Sequence, residues 1–245
     1  MHMIIGLNEK GNSEKKKIGI IAALEVEVYT LKKNLKDMKV TRTAGTDYYT
    51  GTIGDYNVIL MQCGMGKVSA ASGAQALITE FHPDYVINTG CAGALAGNLG
   101  IGDIVLSTVT VEWDLDTIAI GNPRGYVSAM DAVEMHADEK LLEMIASAIP
   151  ENVTVRRGMV CSGDQFVSTD EQRHVILSAF PSALCAEMEG AAIGHVCAQN
   201  NIPFCVVRCM SDTADGNSGV DFAAFSAEAG VKSAEILLTM LAGKR

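Results

Sequence analysis

The chain has 245 residues, 48% of them hydrophobic and 20% charged, with 24 glycines; this suits one large folded α/β domain and argues against disorder or a solenoid. Acidic residues outnumber basic ones 29 to 19, a net charge of −10, so the surface repels nucleic acid and anionic membranes and a small molecule is the expected ligand. The seven cysteines are an odd number without Cys-x-x-Cys or zinc-like Cys/His spacing, and read as buried thiols in a reducing, cytoplasmic setting.

Residues 1–17, MHMIIGLNEKGNSEKKK, put a short apolar run ahead of a basic cluster, the wrong order for a signal peptide. They read as a polar, flexible extension to a single domain over 18–245. No later stretch holds 18 uninterrupted apolar residues, so no membrane span is expected. IGIIAA (18–23) predicts a strand, followed by a helix over 25–35 with Leu24, Val28, Leu31 and Leu35 at helical spacing. DYYTGTI and NVILMQC flank Gly54-Asp55 and predict a hairpin. A helix follows over 67–81, then strands over 84–90 and 103–111. A helix over 138–149 must end before Pro150, and the chain closes with strand 153–161, helix 189–200, strand 203–210 and helix 221–242. Strands as apolar as 18–23 and 203–210 belong at the centre of a sheet covered on both faces. The alternation predicts an α/β fold with a mostly parallel or mixed sheet covered by helices.

CGMGKVSA (63–70) follows a strand and precedes a helix, yet fails both nucleotide fingerprints. A phosphate-binding loop needs Gly at Met61 and Ser or Thr at Val68, and the dinucleotide pattern needs Gly at Ser69. A tight strand-to-helix turn is the favoured reading, with backbone approach to a ligand as the alternative, and Met65 stands beside it. In NTGCAGAL (88–95), Gly90, Cys91, Ala92 and Gly93 strip side chains from a strand's carboxyl end, where α/β sheets hold ligands and a flat molecule can lie against backbone.

In CAEMEGAA (185–192), Glu187 and Glu189 flank Met188 ahead of a helix. In an extended segment both carboxylates face one site, suited to a pair of ribose hydroxyls; alternatively they dress a helix N-terminus. Glu25 and Glu27 carry the same ambiguity after the first strand, with first-turn helix acids the favoured reading. PFCVVRCMSDTADG (203–216) embeds Arg208 in an apolar strand that ends in Ser211 and Asp212. Such charges are costly in a core but can be satisfied by a ligand. The histidines show neither metal-ligand nor triad spacing.

Taken in order, GIIAALEVEV, CGMGKVSA, INTGCAGAL, GDIVLS, SGDQFV, AEMEGAAIGHVC and VVRCMSDTAD resemble the 5′-methylthioadenosine/S-adenosylhomocysteine nucleosidases of the nucleoside phosphorylase superfamily, over about residues 17–242. The resemblance implies a three-layer α/β/α fold with a mixed central sheet, a homodimer whose partner completes the 5′ pocket, and neither metal nor organic cofactor. It implies hydrolysis of the bond between adenine and the ribosyl C1′. Asp212 is then the acid protonating adenine N7, oriented by Ser211; Glu27 is the base acting on water, with Arg208 helping to position it. Glu189 takes the ribose hydroxyls, Met188 packs under the sugar, Phe166 stacks on adenine, backbone near Val167 reads the purine edge, and Phe222 lies toward the 5′ side.

Cys91 departs from the serine of well-known members, and residues 112–136 diverge after an Asp-x-Asp, which opens the 5′ preference. The alternatives are an aminodeoxyfutalosine hydrolase, a phosphate-dependent purine nucleoside phosphorylase, and a non-catalytic adenosine-binding module. Phosphorolytic relatives carry an arginine before the Gly-rich turn, where this chain has Asn88.

Overall fold

Strand β1 (Lys17–Ala22) is buried from Ile18 onward. Its side chains alternate as a strand's must: Ile18, Ile20 and Ala22 enter one apolar cluster, Ile21 another. The computed structural model describes residues 15–214 and 218–243. After β1 come α1 (Glu25–Lys33), β2 (Lys36–Thr43), β3 (Thr46–Ile53), β4 (Tyr56–Gln62), α2 (Lys67–Phe81), β5 (Tyr85–Ala94) and β6 (Ile104–Glu112). The two-residue β7 (Met135–His136), α3 (Glu139–Ala146), β8 (Val155–Ser162), α4 (Asp170–Ala179), β9 (Ala183–Glu187), α5 (Gly190–Gln199), β10 (Phe204–Asp212) and α6 (Ser218–Ala242) complete the chain.

Strand β5 organises the mixed sheet. One edge pairs in parallel with β10 from Val86 to Gly93. The other pairs in parallel with β1 over Tyr85–Asn88, then with antiparallel β9 at Gly93 and Ala94. Between those stretches the second edge of residues 89–92 has no strand partner, so the sheet splits there. Strands β10, β6, β8 and β9 lead round from β5 and back to it. On the far side β1, β4, β3 and β2 continue as an open sheet. A crevice where neighbouring strands part company is where α/β sheets bind ligands.

Helices α1, α3 and α6 bury Val28, Leu31, Leu141, Ile145 and Leu237 against one face. Helices α2 and α5 bury Ala74, Leu77, Ile193 and Val196 against the other. This is the expected three-layer α/β/α arrangement. A third cluster, around Trp113, Ile176 and Phe180, seats α4. Among the described residues no helix is long and apolar enough to cross a membrane.

The expected extension loses its last residues to the sheet. Lys17 pairs with Asn57 in β1–β4, Lys16 is 2.6 Å from Asp84, and Lys15 Nζ donates to the Gly54 carbonyl; residues 1–14 of that extension lie outside the described residues. Strands β5 and β10 run four and two residues beyond their predicted ends at 90 and 210, because each pairs with the other as far as Gly93 and Asp212. Helix α3 begins where Asp138 caps it by accepting from the Leu141 N–H at 2.8 Å.

Helix α5 lies close on the sheet because residue 194 is glycine: a Cβ there would sit 2.7 Å from Phe204 Cε2 and 2.8 Å from Thr110 Oγ1. Gly194→Ala should lower unfolding free energy by about 1–3 kcal/mol, read in urea melts as a lower midpoint at unchanged slope.

Candidate active site

The split beside β5 opens into a cavity with about 470 Å³ of free space, the solvent at its mouth included. Glu27 enters from α1. As the third helical residue, it accepts from the N–H groups of Ala23 at 3.0 Å and Leu24 at 2.9 Å through Oε2, the backward half of a capping box. Its Oε1 accepts from the Cys91 N–H at 3.1 Å and faces the Cys91 thiol at 3.5 Å. Glu25, its neighbour in sequence, is exposed. The helix therefore uses one acid as ordinary surface and turns the other into the crevice.

Arg208 is 1% exposed. Its Nη1 donates to the Cys91 carbonyl at 3.2 Å. Its Nη2 donates to Asn88 Oδ1 and Glu187 Oε2 and lies 3.5 Å from Glu189 Oε2. Gly90 makes this convergence possible, since a Cβ there would fall 2.5 Å from Arg208 Nη1 and 2.7 Å from Glu27 Oε1. Asn88, whose Nδ2 donates to the Ile21 carbonyl at 2.9 Å, ties the guanidinium to β1.

Glu187 and Glu189 resolve their two sequence readings by dividing them. Glu187, the last residue of β9, accepts from the N–H groups of Glu189 at 3.0 Å and Gly190 at 2.8 Å and from the Ser162 hydroxyl. It serves the α5 N-terminus and Arg208 together. Glu189 is left to accept from the Gly66 N–H at 2.9 Å, with its carboxylate lining the cavity. Burial and then the Glu187 charge push the Glu189 carboxyl up to about 7, against the lowering pull of Arg208 and the Gly66 N–H.

Asp212 is aimed by an irregularity: β10 slips register against β5 between Met210, opposite Ala92, and Asp212, opposite Gly93. Ser211 donates to Asp212 Oδ2 and the Ala214 N–H to Oδ1, both at 2.9 Å. A Cβ at Gly93 would lie 2.6 Å from Oδ1, so the bare strand makes room for this carboxyl. Burial raises its pKa above the ordinary aspartate value, although the Ala214, Ser211 and Ser218 hydrogen bonds oppose the shift.

Met65, Phe166, Met188 and Phe222 supply the apolar lining, with the two phenyl rings edge to face at 5.3 Å between centroids. Cys91, Ala92, Gly93 and Ser211 also line the cavity. Val167 does not: its side chain is buried with Trp113 and Phe180, leaving only its backbone for a role near the site. Ala23, Leu24 and Ala186 line the cavity as well, and Asn88 supports it. Ala23, Leu24 and Ala186 have no site role in the sequence pattern because small or apolar residues beside a strand end carry no chemical signature, and Asn88 stands out there only as the residue in place of an arginine. The Gly64 and Gly66 turn has φ of +79° and +96°, as a tight turn requires, while its backbone also reaches Glu189. Lys67 faces Glu112 and Asp114 at 3.2 and 2.6 Å, away from any phosphate role. Among the described residues no cluster of His, Cys, Asp or Glu is arranged to hold a metal ion.

A family model described as the phosphorylase superfamily matches residues 17–242. A 5′-methylthioadenosine/S-adenosylhomocysteine nucleosidase of Staphylococcus saprophyticus is 42% identical over 221 residues, 90% of this chain and 96% of that protein. The chain belongs to the nucleosidase branch of the phosphorylase superfamily. The Neisseria meningitidis nucleosidase, solved with methylthio-immucillin-A, superposes on this family member with a TM-score of 0.90 at 33% identity, covering 93% and 99% of the two chains. A futalosine hydrolase of Helicobacter pylori superposes with a TM-score of 0.87 at 29% identity, covering 92% and 97%.

In this nucleosidase-family site, the raised Glu189 carboxyl has a thermodynamic consequence. With its folded value moved from 4.5 to about 7, the folded state binds the extra proton, so the resulting stability is fully present below pH 4.5 and lost as pH rises through about 7. Glu189→Gln should abolish that component, on the order of 3 kcal/mol. The check is the difference between wild-type and variant unfolding free energies across pH 5–8.

Proposed function

We propose that the chain hydrolyses the N-glycosidic bond of 5′-methylthioadenosine, S-adenosylhomocysteine and 5′-deoxyadenosine, releasing adenine and the 5′-substituted ribose. The observation that carries this reading is the meeting of Glu27, Glu189 and Asp212, from three distant chain segments, around one cavity with apolar walls. The nucleosidase activities of the relatives support it.

The chemistry follows from the environments. A purine leaves a ribosyl carbon readily only when charge on the departing base is neutralised, so an acid at N7 is needed. Asp212, whose pKa burial raises, fills that role, with Ser211 holding Oδ2. Glu27 polarises the water that meets C1′ as the bond opens. Glu189 takes the ribose 2′- and 3′-hydroxyls, and its negative charge favours the cationic sugar of the transition state. Arg208 makes no hydrogen bond to Glu27; it positions the water site indirectly, by holding the Cys91 carbonyl and restraining the Glu187–Glu189 pair. Cys91 presents a thiol, a weaker donor than a serine hydroxyl, beside Glu27. Phe166 stacks on the base, backbone near Val167 reads its edge, and Met188 and Phe222 pack against the sugar and the 5′ group.

Phosphorolysis fits poorly. Among the described lining residues Arg208 is the single cation, and it is enclosed by carboxylates that would repel phosphate; Asn88 occupies the place of the phosphate-binding arginine and is committed to Ile21 and Arg208. The likeness to a futalosine hydrolase favours aminodeoxyfutalosine as a second substrate to compare. Exposed Met65, Val68, Ile118 and Ile120 support a homodimer whose partner completes the 5′ side. A cytoplasmic role in methionine salvage accords with the reduced cysteines.

Adenine release should be independent of phosphate and fastest with methylthioadenosine or adenosylhomocysteine among those nucleosides and aminodeoxyfutalosine; strict phosphate dependence would overturn hydrolysis. Asp212→Asn should lower kcat by about 10²–10⁴-fold with modest loss of nucleoside affinity, and an unchanged kcat would remove Asp212 from the acid role.

A further inference from the structure

The turn that reaches Glu189 is itself anchored by a lysine that the chemistry above leaves unused. Lys67 opens α2, and its side chain is only 15% exposed. Its ammonium bridges Asp114 Oδ1 at 2.6 Å and Glu112 Oε2 at 3.2 Å. The second Asp114 oxygen accepts from the Asp164 N–H at 2.8 Å, and Asp164 Oδ1 accepts from the Lys67 N–H at 2.8 Å. The Lys67–Asp114, Asp114–Asp164 and Asp164–Lys67 bonds close a ring that clamps the 64–66 turn, the segment after β6 and the loop after β8. Two of the clamped segments carry cavity residues, Met65 and Phe166. The first also carries the Gly66 N–H, which at 2.9 Å is the shortest contact of Glu189.

We propose that Lys67 is a positioning residue that holds the Gly66 N–H against Glu189 and so sets that carboxylate for the ribose hydroxyls. The proposal rests on the ribose-binding reading of Glu189. A neutral side chain at 67 would leave Glu112 and Asp114 facing each other without the intervening cation, with only His195 Nδ1, 2.9 Å from Glu112 Oε1, beside them. Asp114 would then swing away from the Asp164 N–H, and the turn would lose its brace. A neutral donor such as glutamine supplies no charge to offset the two carboxylates, whereas an arginine fork does.

The effect has a direction in pH. Glu189 is faced by Glu187 from β9 and Glu27 from α1, both opposing its ionisation, and by Arg208 from β10 and the Gly66 N–H, both favouring it; the Cys63 thiol beyond β4, pushed up to about 12 by burial, stays neutral beside it. Freeing the Gly66 N–H removes one of the two favouring partners, so Glu189 ionises at higher pH and less of the free enzyme is competent at neutrality.

The test measures kcat/KM for methylthioadenosine across pH 5–9 in wild type, Lys67→Met, Lys67→Arg and Glu189→Gln, and in the Lys67→Met/Glu189→Gln pair. Lys67→Met should lower kcat/KM at pH 7 by about 10–100-fold and move the acid limb to higher pH. Lys67→Arg should restore the limb to its wild-type position. On a Glu189→Gln background, Lys67→Met should cost less than about twofold more, because its effect passes through the missing carboxylate. An acid limb unmoved by Lys67→Met, or an equal loss in both backgrounds while Glu189→Gln is itself impaired, overturns the positioning role alone. A Glu189→Gln enzyme equal to wild type overturns the ribose reading and this proposal with it. Should Lys67→Met fail to fold, Asp114→Asn opens the same ring with the lysine retained; it must shift the limb in the same direction, and an unshifted limb counts against the proposal.

Discussion

A fully buried guanidinium sets the terms for this molecule. Arg208 projects from a strand whose neighbours are valine, cysteine and methionine, and taking such a charge out of water costs several kcal/mol unless it is matched. Glu187 from the end of β9, Asn88 from β5 and the Cys91 carbonyl meet it directly, and Glu27 and Glu189 add their fields. None of these groups is a sequence neighbour of Arg208. The charge is satisfied only when β5, β9, β10 and α1 are all assembled, so the condition for stabilising the core is also the condition for building the site.

The balance of that cluster is deliberate in its chemistry: three carboxylates surround one cation. The surplus negative charge repels an anionic nucleophile and suits a sugar that turns cationic as its base departs. Geometry supports the same outcome. Strand β5 exchanges β1 for β9 on one edge, and over that gap its residues are small. Glycine at 90 and 93 lets charged groups approach the backbone at distances that any side chain would block.

The parts of this arrangement visible in the sequence are those with a strong local signature. The apolar runs of β1 and β10 announced central strands, and α2 begins and ends where the periodicity places it. Strand β2 was invisible because KDMKVTRT is almost wholly exposed and takes its conformation from pairing with β3. Helix α4 buries a single residue, Ile176, too little to write a periodic stripe. Strand β9 is five residues long and exists because β5 and β8 flank it. Within the site, pattern alone could not choose between Glu25 and Glu27, which differ by where the first turn of α1 faces; family likeness pointed to Glu27, and the fold buries it. The supporting roles of Asn88 and Lys67 depend on contacts across 120 and 47 residues, beyond any local pattern.

Two buried acids remain to be reconciled, since both Glu189 and Asp212 are raised by burial yet the proposed reaction needs one ionised and the other protonated. Their partners separate them. Glu189 sits beside Arg208, and ribose hydroxyls donating to it would favour its charged form further. Asp212 lies at the far end of β10 against Ser211 and Ala214, and a purine covering it would deepen its desolvation while offering N7 as the acceptor for its proton. On the proposed roles, nucleoside binding would drive the two acids in opposite directions, so that the occupied site would reach the required protonation pattern over a wider pH range than the empty one.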